Sequence, residues 1–378
     1  METRFSSPFA SLELQRLPHS RQGSLRAWDA ADDYLLQQLA EESTTVTGPV
    51  LILNDSFGAL TLNLAGQGQH PVLQTDSWLS AQGARRNANL NGIEADELRV
   101  QTPLQSFAGT FATVLIKIPK TLSLLEYQLR QLRPHINADT RIMAGGMARN
   151  IHRSTLQLFE QWIGPTSTSL ARKKARLIFA AYADQDLPPV APAPGYALPE
   201  EDLRITNFAN LFSLDQLDIG SRFFLPHIPH SEFERNIIDL GCGNGLLGLV
   251  AARRNPAARI EFRDESALAV ACAEHNWQQN LSNDSRGRFI QADCLQGVEP
   301  NSTDLILCNP PFHQQHAVGD QIAQRMFRQA HRCLRAGGEL RIVGNRHLGY
   351  HQVLRKLFGN AEQLDANRKF VVLSARRT

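Results

Sequence analysis

The stretch Asn236-Ile237-Ile238-Asp239-Leu240-Gly241-Cys242-Gly243-Asn244-Gly245 joins a short apolar strand to a turn with three glycines. Glycine lets the backbone approach a ligand closely where a strand gives way to a helix, and Leu246–Arg254 is predicted to be that helix. The glycine spacing differs from the dinucleotide fingerprint, and no Gly-Lys-Ser/Thr sequence follows it. The stretch therefore predicts a ligand site at the end of a parallel strand, and it does not favour a nucleoside triphosphate.

Polar side chains also end the strands predicted downstream of this turn. Asp264 ends the second strand and Asp293 the third, and the apolar run Leu305–Cys308 leads to Asn309. Ligands of open α/β sheets bind beyond the carboxyl ends of the strands, where an acid about 20 residues after the glycine turn binds ribose hydroxyls. Any one of these acids alone could equally cap a helix or lie in a solvated loop. Their ordered arrangement after Asp239 favours a site for a ligand that contains a nucleoside.

The segment Asn309-Pro310-Pro311-Phe312 stops the fourth strand abruptly. Both prolines lack an N–H group and have a fixed φ, so the strand cannot continue and the turn is stiff. The Asn309 amide and the Pro310 carbonyl are then two rigidly placed acceptors beside an aromatic ring, which suits a planar group that carries an NH2. Asn-Pro is also an ordinary turn dipeptide, so the segment indicates chemistry only together with the glycines and acids upstream.

The composition restricts the class of protein. A chain of 378 residues is too long for one compact core, so two domains are expected. The net charge of +2 does not by itself indicate a nucleic-acid partner, and any RNA contact must come from local basic patches. The sequence has no apolar run long enough for a membrane span, no secretory signal at its start and no Cys-x-x-Cys pair among its five cysteines. We therefore expect a cytoplasmic, monomeric protein with no metal site and no disulfide framework.

These motifs resemble those of the class I S-adenosylmethionine-dependent methyltransferases. The segment 309–312 is similar to the motif of the enzymes that methylate amino groups, which act on adenine N6, guanine N2 or protein glutamine. Together, residues 239–245 and 309–316 resemble the RsmC/RlmG family of ribosomal RNA guanine-N2 methyltransferases. Three early segments are similar to the branch of that family that acts on the large subunit, namely Ala30–Leu36, Ile52–Asp55 and Leu115–Lys120.

The resemblance implies S-adenosylmethionine as the cofactor and assigns residues to it. The glycine turn and Asp239 would hold its methionine end, Asp264 its ribose and Asp293 its adenine, and the stretch from Asp218 to Arg222 would cover it. The residues implied to bind the cofactor are Asp239, Gly241, Gly243, Asn244, Gly245, Asp264, Asp293, Asp218, Gly220 and Arg222.

The resemblance also implies that Asn309, Pro310, Pro311 and Phe312 are the catalytic residues. Guanine N2 is a poor nucleophile because its lone pair is delocalised into the ring. Hydrogen bonds from N2–H to the Asn309 side-chain oxygen and to the Pro310 carbonyl would free that lone pair for the methyl group, and Phe312 would stack on the base. No metal is needed, since the cofactor carries its own leaving group.

The first half of the chain carries a weakened copy of the second half. The aligned pairs, with the N-terminal residue first, are Ile52 with Asp239, Asn54 with Gly241, Ser56 with Gly243, Gly58 with Gly245, Asp76 with Asp264, Asn87 with Asn276 and Asn91 with Asn280. Residues 117–120 take the place of the Asn309 segment. The pattern predicts an α/β fold of two tandem class I, Rossmann-like methyltransferase domains, of which the N-terminal copy is degenerate.

A proline-rich stretch at residues 184–200 divides the two copies. It predicts a degenerate, RNA-binding domain over residues 1–183, a linker, and a catalytic domain over residues 201–378. The basic run at 171–176 favours contact with RNA phosphates and a solvated loop about equally. The residues predicted to bind RNA are Arg85, Arg86, Lys117, Lys120, Arg172, Lys173, Lys174 and Arg176.

These observations lead to one favoured function and three alternatives. The favoured function is S-adenosylmethionine-dependent methylation of the exocyclic N2 of a specific guanine in 23S ribosomal RNA, the RNA of the large subunit. The same site could instead modify a guanine of 16S ribosomal RNA. A protein glutamine presents the same planar NH2 group, although Phe312 stands where those enzymes usually have tyrosine. The last alternative is a non-catalytic RNA-binding assembly factor, against which the intact glycines and Asn309 argue.

Overall fold

A computed structural model describes residues 2–18, 25–42, 46–232, 236–311 and 317–378, without the side chains of residues 317–320. The chain divides into two compact units, Met1–Ala191 and Pro192–Thr378. In each unit, buried apolar side chains cover both faces of the main sheet. Central strands are therefore buried along their whole length, as Val50–Leu53 and Thr303–Cys308 illustrate.

The N-terminal unit alternates strands with helices. Its strands are β1 (Arg4–Ser6), β2 (Ser11–Glu13), β3 (Val50–Leu53), β4 (Val72–Gln74), β5 (Arg99–Gln101), β6 (Thr113–Lys117), β7 (Arg141–Met147), β8 (Thr166–Thr168) and β9 (Ala175–Ala180). Its helices are α1 (Ala30–Glu42), α2 (Ala59–Ala65), α3 (Trp78–Leu90), α4 (Leu122–Leu132) and α5 (Arg153–Trp162).

The C-terminal unit repeats this alternation. Its strands are β10 (Gly195–Leu198), β11 (Leu203–Thr206), β12 (Asn236–Leu240), β13 (Arg259–Asp264), β14 (Gly287–Gln291), β15 (Thr303–Cys308), β16 (Leu334–Asn345), β17 (Glu362–Ala366) and β18 (Phe370–Arg376). Its helices are α6 (Ile219–Phe224), α7 (Leu246–Arg254), α8 (Ala267–Asn280), α9 (Ala317–Cys333) and α10 (Tyr350–Phe358). No helix in the described ranges combines the length and the apolar composition that crossing a lipid bilayer requires.

The two main sheets have the same strand order. Among the described residues, the order is β5-β4-β3-β6-β7-β9-β8 in the first unit and β14-β13-β12-β15-β16-β18-β17 in the second. In both sheets the first five strands run parallel and the last two pair antiparallel. A small antiparallel hairpin, β1–β2 or β10–β11, precedes each sheet. The prediction of a duplicated α/β fold is therefore confirmed.

A buried asparagine ties each small hairpin to its unit. The Asn276 side-chain amide accepts from Thr206 N at 2.9 Å and donates to Thr206 O at 2.8 Å and to Asn244 O at 2.9 Å. Asn87 repeats this pattern with the backbone of Gln15, and it donates to Phe57 O at 2.8 Å. The asparagine pairs that align in the two halves thus have a structural role in both.

One aligned pair is wrong by one residue. The registers of β3 with β4 and of β12 with β13 place Thr75, not Asp76, at the position of Asp264. The hydrogen bonds agree, because Thr75 Oγ1 accepts from Ser77 N at 3.2 Å and Asp264 Oδ1 accepts from Ser266 N at 3.0 Å. The N-terminal unit therefore has a hydroxyl group where the C-terminal unit has a carboxylate.

The predicted linker at residues 184–200 is only partly irregular. Residues 184–194 have no regular secondary structure, whereas Gly195–Leu198 is strand β10 and pairs with β11. The last residues of the predicted linker therefore belong to the folded C-terminal unit, because α8 holds the β10–β11 hairpin through Asn276.

Replacing Asn276 by alanine should loosen this hairpin, because it leaves backbone groups of Thr206 and Asn244 without partners, at a cost of about 1–3 kcal/mol. Amide hydrogen exchange, followed by mass spectrometry, should show lower protection over residues 195–206. Gln278→Ala, on the exposed side of the same helix, is the matched control and should leave protection unchanged. Equal protection in the two variants would contradict a structural role for Asn276.

Candidate functional site

The glycine turn lies between β12 and α7, at the carboxyl end of the sheet, and its glycines have different roles. Gly245 has a φ of +82°, and a Cβ atom there would lie 2.9 Å from Ala273 Cβ, so this glycine permits close packing of α7 on α8. Gly243 has a φ of +53°, but a Cβ atom there would meet nothing within 4 Å. Packing therefore explains Gly245, whereas the space beside Gly243 is open to a ligand.

The carboxyl group of Asp239 is fully buried at the end of β12. Its Oδ2 accepts a hydrogen bond from Gly248 N at 2.8 Å, while its Oδ1 has no hydrogen-bond partner among the described residues. Burial raises the pKa of Asp239 to about 8; the Gly248 N–H opposes that rise and the nearby charge of Asp264 adds to it. Burial therefore favours the protonated carboxyl group, and a cationic ligand group would favour its ionised form.

Asn309 directly follows β15, and the nitrogen of its side-chain amide is hydrogen-bonded. Nδ2 donates to Ser221 Oγ at 3.0 Å and to Asp218 Oδ2 at 3.3 Å. Oδ1 is buried and has no partner within the described part of the chain. Of the residues predicted beside it, Pro310 is buried and Pro311 exposed, and Phe312 lies outside the described residues.

The segment from Asp218 to Arg222 forms the start of α6. Asp218 is the N-cap of this helix and accepts from Ser221 N at 2.9 Å. Gly220 is buried in the first turn, and Arg222 is exposed. Of these predicted cofactor residues, the structure brings Asp218 into contact with Asn309. Ser221 lies within the stretch predicted to cover the cofactor but was not singled out, because no local pattern in the sequence connects it with Asn309.

The remaining predicted acids are held by local contacts. Asp264 Oδ2 accepts from Gly243 N at 3.1 Å, which links the ends of β12 and β13. Asp293 Oδ1 lies 2.6 Å from an Arg325 guanidinium nitrogen and accepts from Cys294 Sγ at 3.3 Å. Arg325 belongs to α9, and no spacing in the sequence connected it with Asp293. Asp264 ends β13 as predicted, whereas Asp293 lies two residues after the end of β14.

Asn244, another predicted cofactor residue, turns its side chain towards the start of its unit. Its Nδ2 donates to Asn207 Oδ1 at 2.8 Å and to the Tyr196 hydroxyl at 3.2 Å, and its Oδ1 accepts from Leu246 N at 3.2 Å. The Asn244 side chain therefore supports the glycine turn, and Tyr196 and Asn207 are neighbours of the site that the sequence did not indicate.

In the N-terminal unit, Lys117 occupies the position of Asn309. Its Nζ lies 2.6 Å from Asp29 Oδ1 and 2.9 Å from Asp32 Oδ1, at the start of α1. Burial disfavours the charged form, but the carboxylates of Asp32 and Asp29 outweigh it and hold the pKa of Lys117 above its ordinary value. The prediction that Lys117 contacts RNA is wrong, because its ammonium group is buried in this ion-paired cluster.

Asp55 fills the turn of the N-terminal unit from within. It is buried and accepts from Gly58 N at 3.2 Å, Leu60 N at 3.0 Å and Thr61 N at 2.8 Å. Thr61 corresponds to Gly248, whose N–H binds Asp239 in the other unit. Asp55 accepts from the N–H groups at the start of α2, so the residue at the position of Asp239 can be the apolar Ile52. The turn therefore keeps its fold without a carboxylate at that position.

The other residues predicted to bind RNA lie at or near the surface of the N-terminal unit. Arg86, Lys120, Arg172, Lys173 and Lys174 are exposed, whereas Arg85 and Arg176 are half-buried. Two of them belong to α3, and four lie in the turn between β8 and β9 or at its edge.

Two family models cover nearly the whole chain. The RLMG N-terminal domain matches residues 2–184, and the methyltransferase small domain matches residues 202–374. A curated relative from Erwinia tasmaniensis, "Ribosomal RNA large subunit methyltransferase G", is 49% identical over 364 residues, which is 96% of each chain.

A solved structure has the same two-unit fold. It is that of the T. thermophilus 16S rRNA N2 G1207 methyltransferase in complex with AdoMet and guanosine. The match covers 100% of this chain and 98% of that one, with a TM-score of 0.77 and 19% sequence identity. At that identity the likeness is one of fold.

Proposed function

We propose a function from the following premise: the chain belongs to the family of ribosomal RNA large subunit methyltransferase G. In this proposal it uses S-adenosylmethionine to methylate the exocyclic N2 of one guanine in large-subunit ribosomal RNA. The observation that carries the proposal is the buried Asn309 Oδ1, an acceptor without a partner among the described residues, whose amide is held from the other side. Such an acceptor suits a hydrogen-bond donor, and an amino group is one. We expect the protein to act in the cytoplasm.

The chain offers groups that fit each part of the cofactor. The Asp239 Oδ1 is a buried acceptor for a cationic group, and the open space beside Gly243 admits a ligand to the turn. Asp264 and Asp293, at the neighbouring strand ends, would accept from ribose hydroxyls and from the adenine amine. When bound, S-adenosylmethionine supplies a methyl group that is already activated by positively charged sulfur.

The chain's own contribution to the reaction is to hold the amino group. Asn309 Oδ1 and the Pro310 carbonyl would accept from the two N–H bonds of guanine N2, which draws its lone pair out of conjugation with the ring. The nitrogen then forms its bond to the methyl carbon while the carbon–sulfur bond breaks, and N2 afterwards gives up one proton to solvent. Positioning of this kind lowers barriers by up to about 7–11 kcal/mol in intramolecular models. The guanine must leave its stack or lie in a loop to reach the site.

The turn between β8 and β9 supports a role of the N-terminal unit in binding RNA. Arg172 and Ala175 pair across a two-residue turn whose central residues, Lys173 and Lys174, have φ angles of +49° and +66°. Such turns favour Asn-Gly, because side chains rarely adopt positive φ. Two lysines therefore cost backbone energy here. An exposed pair of cations at the tip of a hairpin is suited to phosphates, so we propose that the turn contacts RNA.

The same turn is anchored to α1 rather than free in solvent. Lys173 Nζ lies 3.1 Å from Asp33 Oδ2, and the Arg172 guanidinium carbon lies 5.7 Å from the centre of the Tyr34 ring. The Tyr34 hydroxyl donates to Leu170 O at 3.3 Å. No ion pair of Lys174 is found within the described part of the chain, so its ammonium group is the one best placed for a phosphate.

Replacing Asn309 by alanine should lower the methylation rate by about 100-fold or more, by analogy with the loss of one preorganised hydrogen-bonding group. Cells in which this variant replaces the natural protein should lack one N2-methylguanosine in large-subunit ribosomal RNA, as measured by mass spectrometry of nucleosides. Gln278→Ala, an amide removed from an exposed helix face, should keep the modification.

Three results would contradict the proposed function. The large-subunit nucleosides could be unchanged when the gene is deleted. The missing nucleoside could belong to 16S ribosomal RNA, which would identify the small-subunit alternative. Labelled methyl groups could survive ribonuclease but not protease, which would identify a protein glutamine as the acceptor.

Binding of S-adenosylmethionine should be linked to ionisation of Asp239, whose pKa burial raises to about 8. Since the cation favours the carboxylate, affinity should rise with pH by up to about tenfold per unit below pH 8 and then level off. Calorimetry at pH 7 in buffers of different ionisation enthalpy should detect the released proton. Asp239→Asn should bind more weakly and lose this release, leaving only the titration of the cofactor itself. Equal proton release in both proteins would contradict the linkage.

Changing Lys173 and Lys174 to Asn and Gly should separate the cost of the turn from its benefit. The double variant has the favoured turn residues, so its melting temperature should rise. Its affinity for large-subunit ribosomal RNA should fall about tenfold, and the slope of log K against log salt should lose about one unit for each phosphate contact removed. Lys356→Ala, an exposed lysine in the C-terminal unit, should change neither quantity. Unchanged RNA affinity in the double variant would contradict the proposed contact.

A further inference from the structure

The first turn of α6 packs against the side chain that follows β15. Asp218 Oδ2 and Ser221 Oγ both accept from Asn309 Nδ2, at 3.3 Å and 3.0 Å. We infer that Asp218 and Ser221 are positioning residues, which fix the orientation of the Asn309 amide so that its oxygen faces the amino group to be methylated. The inference rests on the proposed function and assigns to Asp218 a role other than cofactor binding.

The physical reason is that a carboxylate has hydrogen-bond acceptors but no donors. An ionised Asp218 can only accept hydrogen bonds, whereas an amide has donors on nitrogen and acceptors on oxygen. Rotating the Asn309 amide by 180° would place its oxygen against the Asp218 carboxylate, and its N–H groups would then face the N–H groups of the substrate. The contact with α6 therefore disfavours the one orientation in which the amide could not accept from an amino group.

Asp218 is itself held in place. Its Oδ2 also accepts from Ser221 N at 2.9 Å, so the same oxygen caps the helix and receives Asn309 Nδ2. Gly220 is buried in the first turn, and Phe224 at the end of α6 is fully buried in the core of the unit. The acceptors that face Asn309 thus belong to a packed element, and they limit the freedom of the amide before any substrate arrives.

The N-terminal unit contains the same contact in a form that cannot serve the reaction. There, Lys117 brings its ammonium group to Asp29 and Asp32 at the start of α1, at 2.6 Å and 2.9 Å. In both units a donor at the strand end meets acceptors at a helix start. An ammonium group has only donors, whereas the asparagine amide satisfies the same acceptors and retains an acceptor oxygen on its other side.

Substitutions of Asp218 and Ser221 should lower kcat without weakening the binding of S-adenosylmethionine. Ser221→Ala removes one acceptor and should lower kcat about tenfold, and Ser221→Thr, which keeps the hydroxyl group, should restore most of it. Asp218→Ser keeps an N-cap oxygen but is too short to reach Asn309, and should lower kcat about tenfold or more. Asp215→Ser removes an exposed carboxylate from the preceding loop and should have no effect.

The measurements are kcat and KM with large-subunit ribosomal RNA from cells that lack the gene, and calorimetric Kd for S-adenosylmethionine. A fall in kcat with Kd unchanged within about twofold supports the inference. A weaker Kd with kcat preserved overturns it and makes Asp218 a cofactor ligand, and unchanged kinetics in all variants also overturn it. If Asp218→Ser does not fold, the comparison of Ser221→Ala with Ser221→Thr decides the matter. An inactive unaltered protein would overturn the proposed function and this inference together, whereas an active one with unaffected variants would overturn this inference alone.

Discussion

The match of donors to acceptors between a strand end and a helix start is the constraint on which the site depends. In each unit the start of one helix presents oxygen atoms to the side chain at the end of the fourth parallel strand, and in each unit that side chain supplies a hydrogen-bond donor. A buried acceptor left without a donor costs about 1–3 kcal/mol, so a donor at this point stabilises the fold. Lys117 supplies the donor but has no acceptor, whereas Asn309 supplies the donor and also has an acceptor oxygen.

The comparison of the two units separates residues that the fold requires from residues that it does not require. Gly58 is retained opposite Gly245, with a φ of +90°, because both glycines begin a tightly packed helix. The buried asparagines Asn87 and Asn276 are also retained, since each holds a hairpin. By contrast, a position in the glycine turn that packing does not explain has changed, as Ser56 in place of Gly243 illustrates. What remains in the degenerate copy is the set of residues without which its backbone groups or packing would fail.

Local patterns predicted most of the fold, and contacts between distant residues account for the rest. The strands, the glycine turn and the duplication could be predicted because each is written in adjacent residues or in a fixed spacing. Ser221 was missed because its partner Asn309 lies 88 residues away. The wrong prediction that Lys117 contacts RNA has the same cause, since the acids that pair with its ammonium group, at the start of α1, lie far from it in the sequence. Asp76 was aligned with Asp264 because both are aspartates at a similar spacing, whereas the strand registers place Thr75 there. Proline content concealed the short strand β10.

The cluster of Lys117, Asp29 and Asp32, in which Lys117 and Asp32 are buried, has a consequence for the evolution of the chain. If Lys117 alone changed to asparagine, both carboxylates would lose their countercharge, and leaving the buried Asp32 without its partner would cost about 3–5 kcal/mol. A domain is stable by only about 5–15 kcal/mol, so such a change would remove a large part of the stability of the unit. An asparagine at this position would keep that stability only if Asp32 changed with it. The ion pair therefore couples the identities of residues 32 and 117, and the first unit cannot acquire the asparagine of the second unit by a single substitution without losing stability.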